Sequence, residues 1–541
     1  MSRREAALSA LLVFAVALVV RAYFAAQIVF PKPEDTAYYV GVAQNLLEGR
    51  GLVTDALWSY RTPPLIFPRP AFEVWMPLPT WLAAIPMALF GSSFAAAQIS
   101  SMLIGATVPV LAWRIASDAA EERGLSAERA RTLALGTGLT CAVYLPLLLH
   151  SALPDSTMPF AALGLLCCLL MARIARDPRG VALRAPRLVS LGVALGLAAL
   201  TRNEAALLGL VWIVVAWTTP ATTVGKRLRM IGVVSLVAAA VFAPWAVRNW
   251  VEFGSPLPGQ AATNAFSVTG FDIFAWNDPP TLSRYLAVGP ARLLDMRIEG
   301  LWHNLGSVLL FPGFPVSLIG LAALPWQARG RTLRPLVLLF VITFLVTSLV
   351  FPVATTWGTF LHAAGPFHVL LVISALLALD AGLARLGARM SWTRPVAWLG
   401  AMLGIFSSIL FSAALLPTFG GGSRATAATY QELSTRMATI DRPINEAMGP
   451  LISNFPIWVA ETQGVSTLAL PDEPADDVLD LARTFGARIL VLTGPESKYW
   501  PAELAPDAPR HDCFERLDLG AWTGEGGDPL DGTTVYEIVC P

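Results

Sequence analysis

The chain has 541 residues, 55% of them apolar and only 14% charged, with a mean hydropathy of +0.59. Soluble domains carry about 25% charged residues, so a soluble globular protein is excluded and most of the chain belongs in lipid. Acidic and basic residues number 38 each, which leaves no bulk charge to attract nucleic acid.

The first stretch, MSRREAALSALLVFAVALVV, is basic and then apolar and lacks the polar, small-residue cleavage site of a secretory signal. It reads as an anchor that stays. Apolar segments then recur, and eleven spans are expected at roughly 6–30, 93–113, 132–153, 156–172, 188–201, 205–219, 230–247, 306–326, 335–351, 363–384 and 395–417. The linkers on one side carry Arg3 and Arg4, then Arg114, Arg123, Arg129 and Arg131, then Arg173, Arg176, Arg179, Arg184 and Arg187. They continue with Lys226, Arg227 and Arg229, Arg329, Arg331 and Arg334, and Arg385, Arg389 and Arg394. Basic residues concentrate on the cytoplasmic side of a membrane, so the expectation is a plasma-membrane protein with its N-terminus inside and its C-terminal tail outside. Residues 70–91 are apolar enough to cross, but crossing there would invert every later loop. Their prolines also weaken a straight span. They are expected to form a helix in the outer interface, with Trp75 and Trp81 at headgroup level. The alternative is a twelfth span.

Five outward-facing pieces result. The first loop, 31–91, opens with PEDTAYYVGVAQNLLEGRG, two acids followed by an amphipathic helix that stops at a glycine. The second is the turn HSALPDSTMPF around Asp155, and the third is TRNEA, with Arg202 and Glu204. The fourth opens with PWAVRNWVEFGSPLPG, and the fifth is FPVATTWGTFLHAAGPF around His362. Beyond GGGS at 420–423 the chain turns polar. LISNFP, STLALP, ARILVLTG and TVYEIV read as strands, with a helix in DEPADDVLDLARTFGA. The division is therefore a membrane domain over 1–419 and a small extracytoplasmic α/β domain over 420–541, hinged at the glycines. Cys513 and Cys540 are the cysteines outside the spans and are expected to pair in an oxidising compartment. Cys141, Cys167 and Cys168 read as inert filler in buried helices.

Glu34, Asp35, Asp155, Arg202, Glu204, Arg248 and His362 come from separate loops but share one membrane face. Singly, each reads as a solvated loop residue or a helix cap. Together they suggest a polar cavity at the lipid–water boundary, where an enzyme meets a lipid-linked substrate. A sugar on a lipid phosphate leaves behind an anion that arginines hold well. The acceptor hydroxyl or amine needs a carboxylate to orient it and take its proton.

The first loop resembles the signature of the GT-C glycosyltransferases, in the branch of protein O-mannosyltransferases and lipid A aminoarabinose transferases. Glu34, Asp35, Tyr38, Leu46 and Gly49 match that signature in register. The likeness continues through Phe90-Gly91, Asp155, and the run Pro244, Trp245, Arg248 and Asn249, and covers residues 1 to about 417. It implies a polyprenyl-phosphate sugar donor and an extracytoplasmic acceptor (lipid, glycan or protein). It also implies a catalytic base at Glu34 or Asp35 and assistance from Asp155. Tyr38, Arg69, Arg202, Glu204, Arg248 and His362 are then the candidate donor-phosphate and substrate contacts. Two departures stand out. The leading aspartate of the family aligns with Glu34, so the order of the acids is swapped. The lysine that precedes the interfacial helix in the aminoarabinose transferases is missing from FEVWMP, with Arg69 as the nearest substitute.

None of the five histidines forms an i, i+4 pair or joins a Cys/His cluster, so no cofactor or structural zinc is expected. A divalent ion held by Glu34, Asp35 or Asp155 is compatible with the acids, although the branch does not generally require one. The expectation is an inverting glycosyltransferase of the cell envelope. The alternatives are a transporter or flippase of a lipid-linked substrate, whose charges would sit nearer the bilayer midplane, and a non-catalytic membrane scaffold.

Overall fold

The computed structural model describes residues 3–176, 181–220, 222–258, 260–327, 329–392, 396–493, 504–505 and 508–540. Arg179 and Arg394, counted among the basic loop residues, lie outside them. Among the described residues, six helices are apolar and long enough to cross a bilayer: Arg3–Ala25, Phe94–Glu122, Thr157–Arg176, Val224–Phe253, Gly365–Arg389 and Ala397–Thr439. Two bent pairs bring the number to eight: Ala127–Val143 with Leu145–Ser151, at 53°, and residues 289–313 with Val316–Gln327, at 118°. The other three expected spans fall on the shorter apolar helices Ala185–Ala199, Ala205–Trp217 and Arg334–Leu349. A 13-residue helix rises about 20 Å against a hydrocarbon core of about 30 Å. Length and composition alone therefore account for up to eight crossings among the described residues, and the three shorter helices occupy the places of the other three expected spans.

Small residues set the closest helix contacts, as is usual where lipid gives neighbouring helices no hydrophobic reason to associate. A Cβ at Gly320 would lie 2.1 Å from the Leu371 carbonyl oxygen. At the same contact Ser374 Oγ donates to the Gly320 carbonyl at 2.7 Å. The 53° bend also has a local cause. Pro146 opens the second half at a position where its missing N–H costs nothing. The carbonyls freed at the break are taken up by Arg21 Nη1, 3.2 Å from Ala142 O, and by Ser412 Oγ, 2.7 Å from Val143 O. Arg21 Nε also donates to Ser151 Oγ at 2.9 Å. The bent half thus ends pinned at Ser151, directly before the turn that holds Asp155.

The first loop folds as its sequence suggests. The helix Glu34–Leu47 follows Pro33, and the chain leaves it through Gly49 at φ +82°, a conformation that suits glycine. Leu78–Phe90 forms the second helix of the loop, inside the segment expected to lie in the interface. The fourth loop contributes Gly289–Trp302, which runs into a π-helical stretch at His303–Leu310.

The polar C-terminal part carries the larger departure. Gly420–Gly422 are no hinge, because the helix Ala397–Thr439 runs straight through them. A Cβ at Gly420 would lie 3.2 Å from Gln27 O, so a glycine there lets this helix pass close to the end of the first span. The strands are β1 (Val53–Thr54), β2 (Ala56–Leu57), β3 (Arg69–Pro70), β4 (Leu451–Ser453), β5 (Thr467–Ala469), β6 (Ile489–Leu492), β7 (Phe514–Arg516) and β8 (Thr534–Ile538). The four expected strands appear as β4, β5, β6 and β8. They join a six-stranded sheet of order β2-β5-β4-β6-β8-β7, in which β2, β5, β4 and β6 run parallel. Its edge strand β2 belongs to the first loop, so the sheet draws on both sides of the expected domain boundary. Between the strands lie the helices Pro456–Gln463 and Ala475–Phe485. A disulfide joins Cys513 to Cys540, with their Cα atoms 4.9 Å apart, and ties β7 to the end of β8.

Candidate active site

The two adjacent acids at the start of the first-loop helix point to different places. Glu34 Oε1 accepts the backbone N–H groups of Ile457 at 2.9 Å and Trp458 at 3.3 Å, at the N-terminus of the helix Pro456–Gln463. Asp35 Oδ2 lies 3.0 Å from His362 Nε2, and Asp35 Oδ1 accepts the Thr36 N–H at 2.9 Å.

His362 gathers the site. Its Nδ1 is 2.7 Å from Thr157 Oγ1 and 3.6 Å from Asp155 Oδ2. Asp155 is wholly buried; its Oδ1 accepts the Thr157 N–H at 2.7 Å and its Oδ2 lies 3.7 Å from His150 Nδ1. One imidazole from the fifth loop therefore separates a carboxylate of the first loop from a carboxylate of the second. Beside them, Arg202 pairs through two nitrogens with Glu204, at 2.7 and 3.1 Å, and donates through Nη1 to Ser156 Oγ at 2.8 Å. Tyr39 is buried next to the same groups, within electrostatic reach of Arg202, Asp35 and Asp155.

Burial sets the protonation states. It pushes Asp35 up to about 7, and the neighbouring negative charge of Asp155 adds to the shift. Burial also pushes His362 down to about 3, so its imidazole is neutral at ordinary pH. Glu34 is pushed up to about 8 by burial, in spite of its two backbone bonds.

Of the expected site residues, the fold brings Asp35, Asp155, Arg202, Glu204 and His362 together. The other four make their contacts elsewhere. Arg69 is fully buried and donates to Ser59 O at 2.7 Å and Thr62 O at 2.6 Å, with Glu73 3.0 Å away. Arg248 donates to Ala71 O at 2.7 Å and stacks 4.9 Å from the Trp245 ring. Tyr38 accepts the Phe72 N–H at 2.7 Å. Glu34 faces the C-terminal helix.

His150, Ser156, Thr157 and Tyr39 complete the cluster and were not singled out from the sequence. The first three lie in HSALPDSTMPF, so the available signal was a histidine five residues before the turn acid. The ligand atoms of His150, Asp155 and His362 all lie within 4.8 Å of one another, close enough to share one divalent ion. The two histidines of this set are too far apart in sequence for any spacing motif to reveal it.

The cluster is nearly closed to solvent. The side chains of Asp35, Arg202 and His362 are 11%, 11% and 8% exposed. An apolar groove of about 570 Å³, lined by Leu11, Phe14, Val110, Leu111 and Leu166 among others, lies elsewhere and includes none of these residues.

This architecture is the GT-C fold of membrane glycosyltransferases. A family model described as dolichyl-phosphate-mannose-protein mannosyltransferase matches residues 70–247, a stretch that includes Asp155, Arg202 and Glu204. The chain is similar in structure to ArnT from Cupriavidus metallidurans bound to undecaprenyl phosphate, with a TM-score of 0.57, 15% identity and 98% of each chain covered. It is also similar to the archaeal oligosaccharyltransferase AglB from Archaeoglobus fulgidus, in complex with an inhibitory peptide and a dolichol-phosphate. There the TM-score is 0.53 and the identity 13%, over 90% of this chain and 69% of that one. These likenesses establish the fold. Comparison with curated protein sequences gives no match.

Proposed function

We propose that this protein is an integral-membrane glycosyltransferase that moves one sugar from a polyprenyl-phosphate carrier to an extracytoplasmic acceptor, with inversion. The observation that carries the reading is the meeting of Asp35 and Asp155 on the two nitrogens of His362, with Arg202 alongside. Asp35 is the base. It takes the proton of the acceptor hydroxyl or amine as that atom attacks the anomeric carbon. The bond from that carbon to the phosphate oxygen breaks, and the polyprenyl phosphate leaves with the electron pair. Arg202 supplies positive charge to the leaving phosphate. Its pairing with Glu204 fixes the guanidinium and is shared with the phosphate when the donor binds. Asp155 keeps the local potential negative and, through Thr157, anchors the turn on which His362 rests. Inversion follows from a single displacement.

The family model named for dolichyl-phosphate-mannose and the undecaprenyl phosphate held by ArnT support a lipid-phosphate donor. The basic linkers support a cytoplasmic N-terminus, with eleven crossings and the sheet outside.

The test uses wild type and Asp35→Asn, purified in detergent. Each is incubated with undecaprenyl- and dolichyl-phosphate carriers bearing radiolabelled mannose or other sugars, and with a membrane extract as acceptor. Wild type should transfer label from one donor, and the variant should lose about 100-fold or more while remaining folded. An Asp35→Asn variant as active as wild type, or a wild type that turns over none of the donors, overturns the reading.

A further inference from the structure

Glu34 sits next to the base yet spends its carboxylate on another part of the chain, and several contacts share that direction. Its Oε1 takes the N–H groups of Ile457 and Trp458, which would otherwise lack partners at a helix start. Trp458 Nε1 returns a hydrogen bond to Pro31 O at 3.0 Å, three residues before Glu34. Phe30 stacks on Tyr430 and meets the edge of Trp458, with centroids 5.7 and 5.8 Å apart. On the next turns of the first-loop helix, Gly41 leaves room for Glu461, whose carboxyl group would lie 1.9 Å from any Cβ there. Farther along, β2 pairs in parallel with β5, and Tyr60 OH donates to Ala469 O. The helix bearing Asp35 is therefore held along one side by residues more than 400 positions later.

We infer that Glu34 is a positioning residue: through the helix Pro456–Gln463 it ties the C-terminal sheet to the first-loop helix and so holds Asp35 against His362. This deepens the proposed function and rests on the reading of Asp35 as the base. It also divides the acid pair, with one member for chemistry and the other for placement.

A base and a tether respond differently to an amide. Glutamine keeps the oxygen that accepts the two N–H groups but cannot take a proton at neutral pH, whereas alanine removes both capacities. Glu34→Gln should therefore keep kcat within about twofold of wild type. Glu34→Ala should lose about 10- to 100-fold in kcat, as expected for a misplaced catalytic group, with donor KM little changed. Trp458→Phe, a change in the C-terminal part alone, should lower kcat in the same direction. Hydrogen–deuterium exchange of the peptide covering residues 34–47 reads the tether without turnover: faster in Glu34→Ala and Trp458→Phe, unchanged in Glu34→Gln. A Glu34→Gln as inactive as Glu34→Ala makes Glu34 the base and overturns the inference. So does exchange in Glu34→Ala that matches wild type. Failure of the base reading shows separately, as full activity in Asp35→Asn, and the exchange experiment then still decides whether Glu34 tethers the helix.

Discussion

Asp35, Asp155 and His362 act on one another through charge and burial more than through any single bond. A carboxyl serves as a base only when ionised, and burial, with the neighbouring charge of Asp155, pushes that of Asp35 up to about 7. Transfer should therefore rise with pH through about 7 and level off above it. Asp155→Asn removes the neighbouring charge, so whatever activity remains should show its limb at lower pH, read from a kcat/KM–pH profile. His362 was expected to contact the donor phosphate. Burial pushes its imidazole down and it lies between two acids, 3.0 Å from Asp35 and 3.6 Å from Asp155, which favours a positioning role over a phosphate contact. His362→Gln should lower kcat by about tenfold or more while donor KM stays within about twofold. A KM that rises with little change in kcat would restore the phosphate role.

Among elements, the helix Gly365–Arg389 begins just after His362 and lies against Val316–Gln327 at the Gly320–Leu371 contact. That contact is with a backbone carbonyl, which cannot turn aside as a flexible side chain would. Gly320→Ala should force the two helices apart and cost about 1–3 kcal/mol, seen as a fall of several degrees in Tm in detergent. His362, three residues before the helix Gly365–Arg389, would shift with it, so activity should fall further than stability alone explains. Elements of this kind were largely legible in advance. The helix of PEDTAYYVGVAQNLLEGRG, its glycine exit and four strands of the sheet follow from local patterning. β2 and β7 did not: β2 is defined by its pairing with β5, more than 400 residues later, and β7 by its pairing with β8.

Across the whole molecule, the C-terminal part is no detachable module. The helix Ala397–Thr439 leaves the membrane bundle and enters the sheet region without a break, and β2 sews the first loop into the same sheet. A truncation after residue 422 should therefore abolish transfer rather than alter acceptor choice, because it removes the wall against which the first-loop helix is set. A truncated protein with full kcat would show the two parts to be independent. The disulfide makes a smaller claim. It closes a loop of sequence separation 27, and its removal in Cys513→Ser/Cys540→Ser should cost about 3.5 kcal/mol by chain entropy, measured as a lower unfolding temperature of the sheet.

By itself the sequence determined the medium and the inventory. Low charge and long apolar runs place the chain in lipid, basic linkers set the expected orientation, and alternation and turn residues mark helices and strands. Each of these is a local property, read within about 20 residues. Only the tertiary structure decided which polar residues meet. Asp35, Asp155 and His362 share one point because three loops close over the bundle, and Glu34 turns away because a helix start over 400 residues later needs an acceptor. Partner choice of this kind depends on burial and on unsatisfied N–H groups across the whole fold, and no window of sequence contains both sides of such a contact.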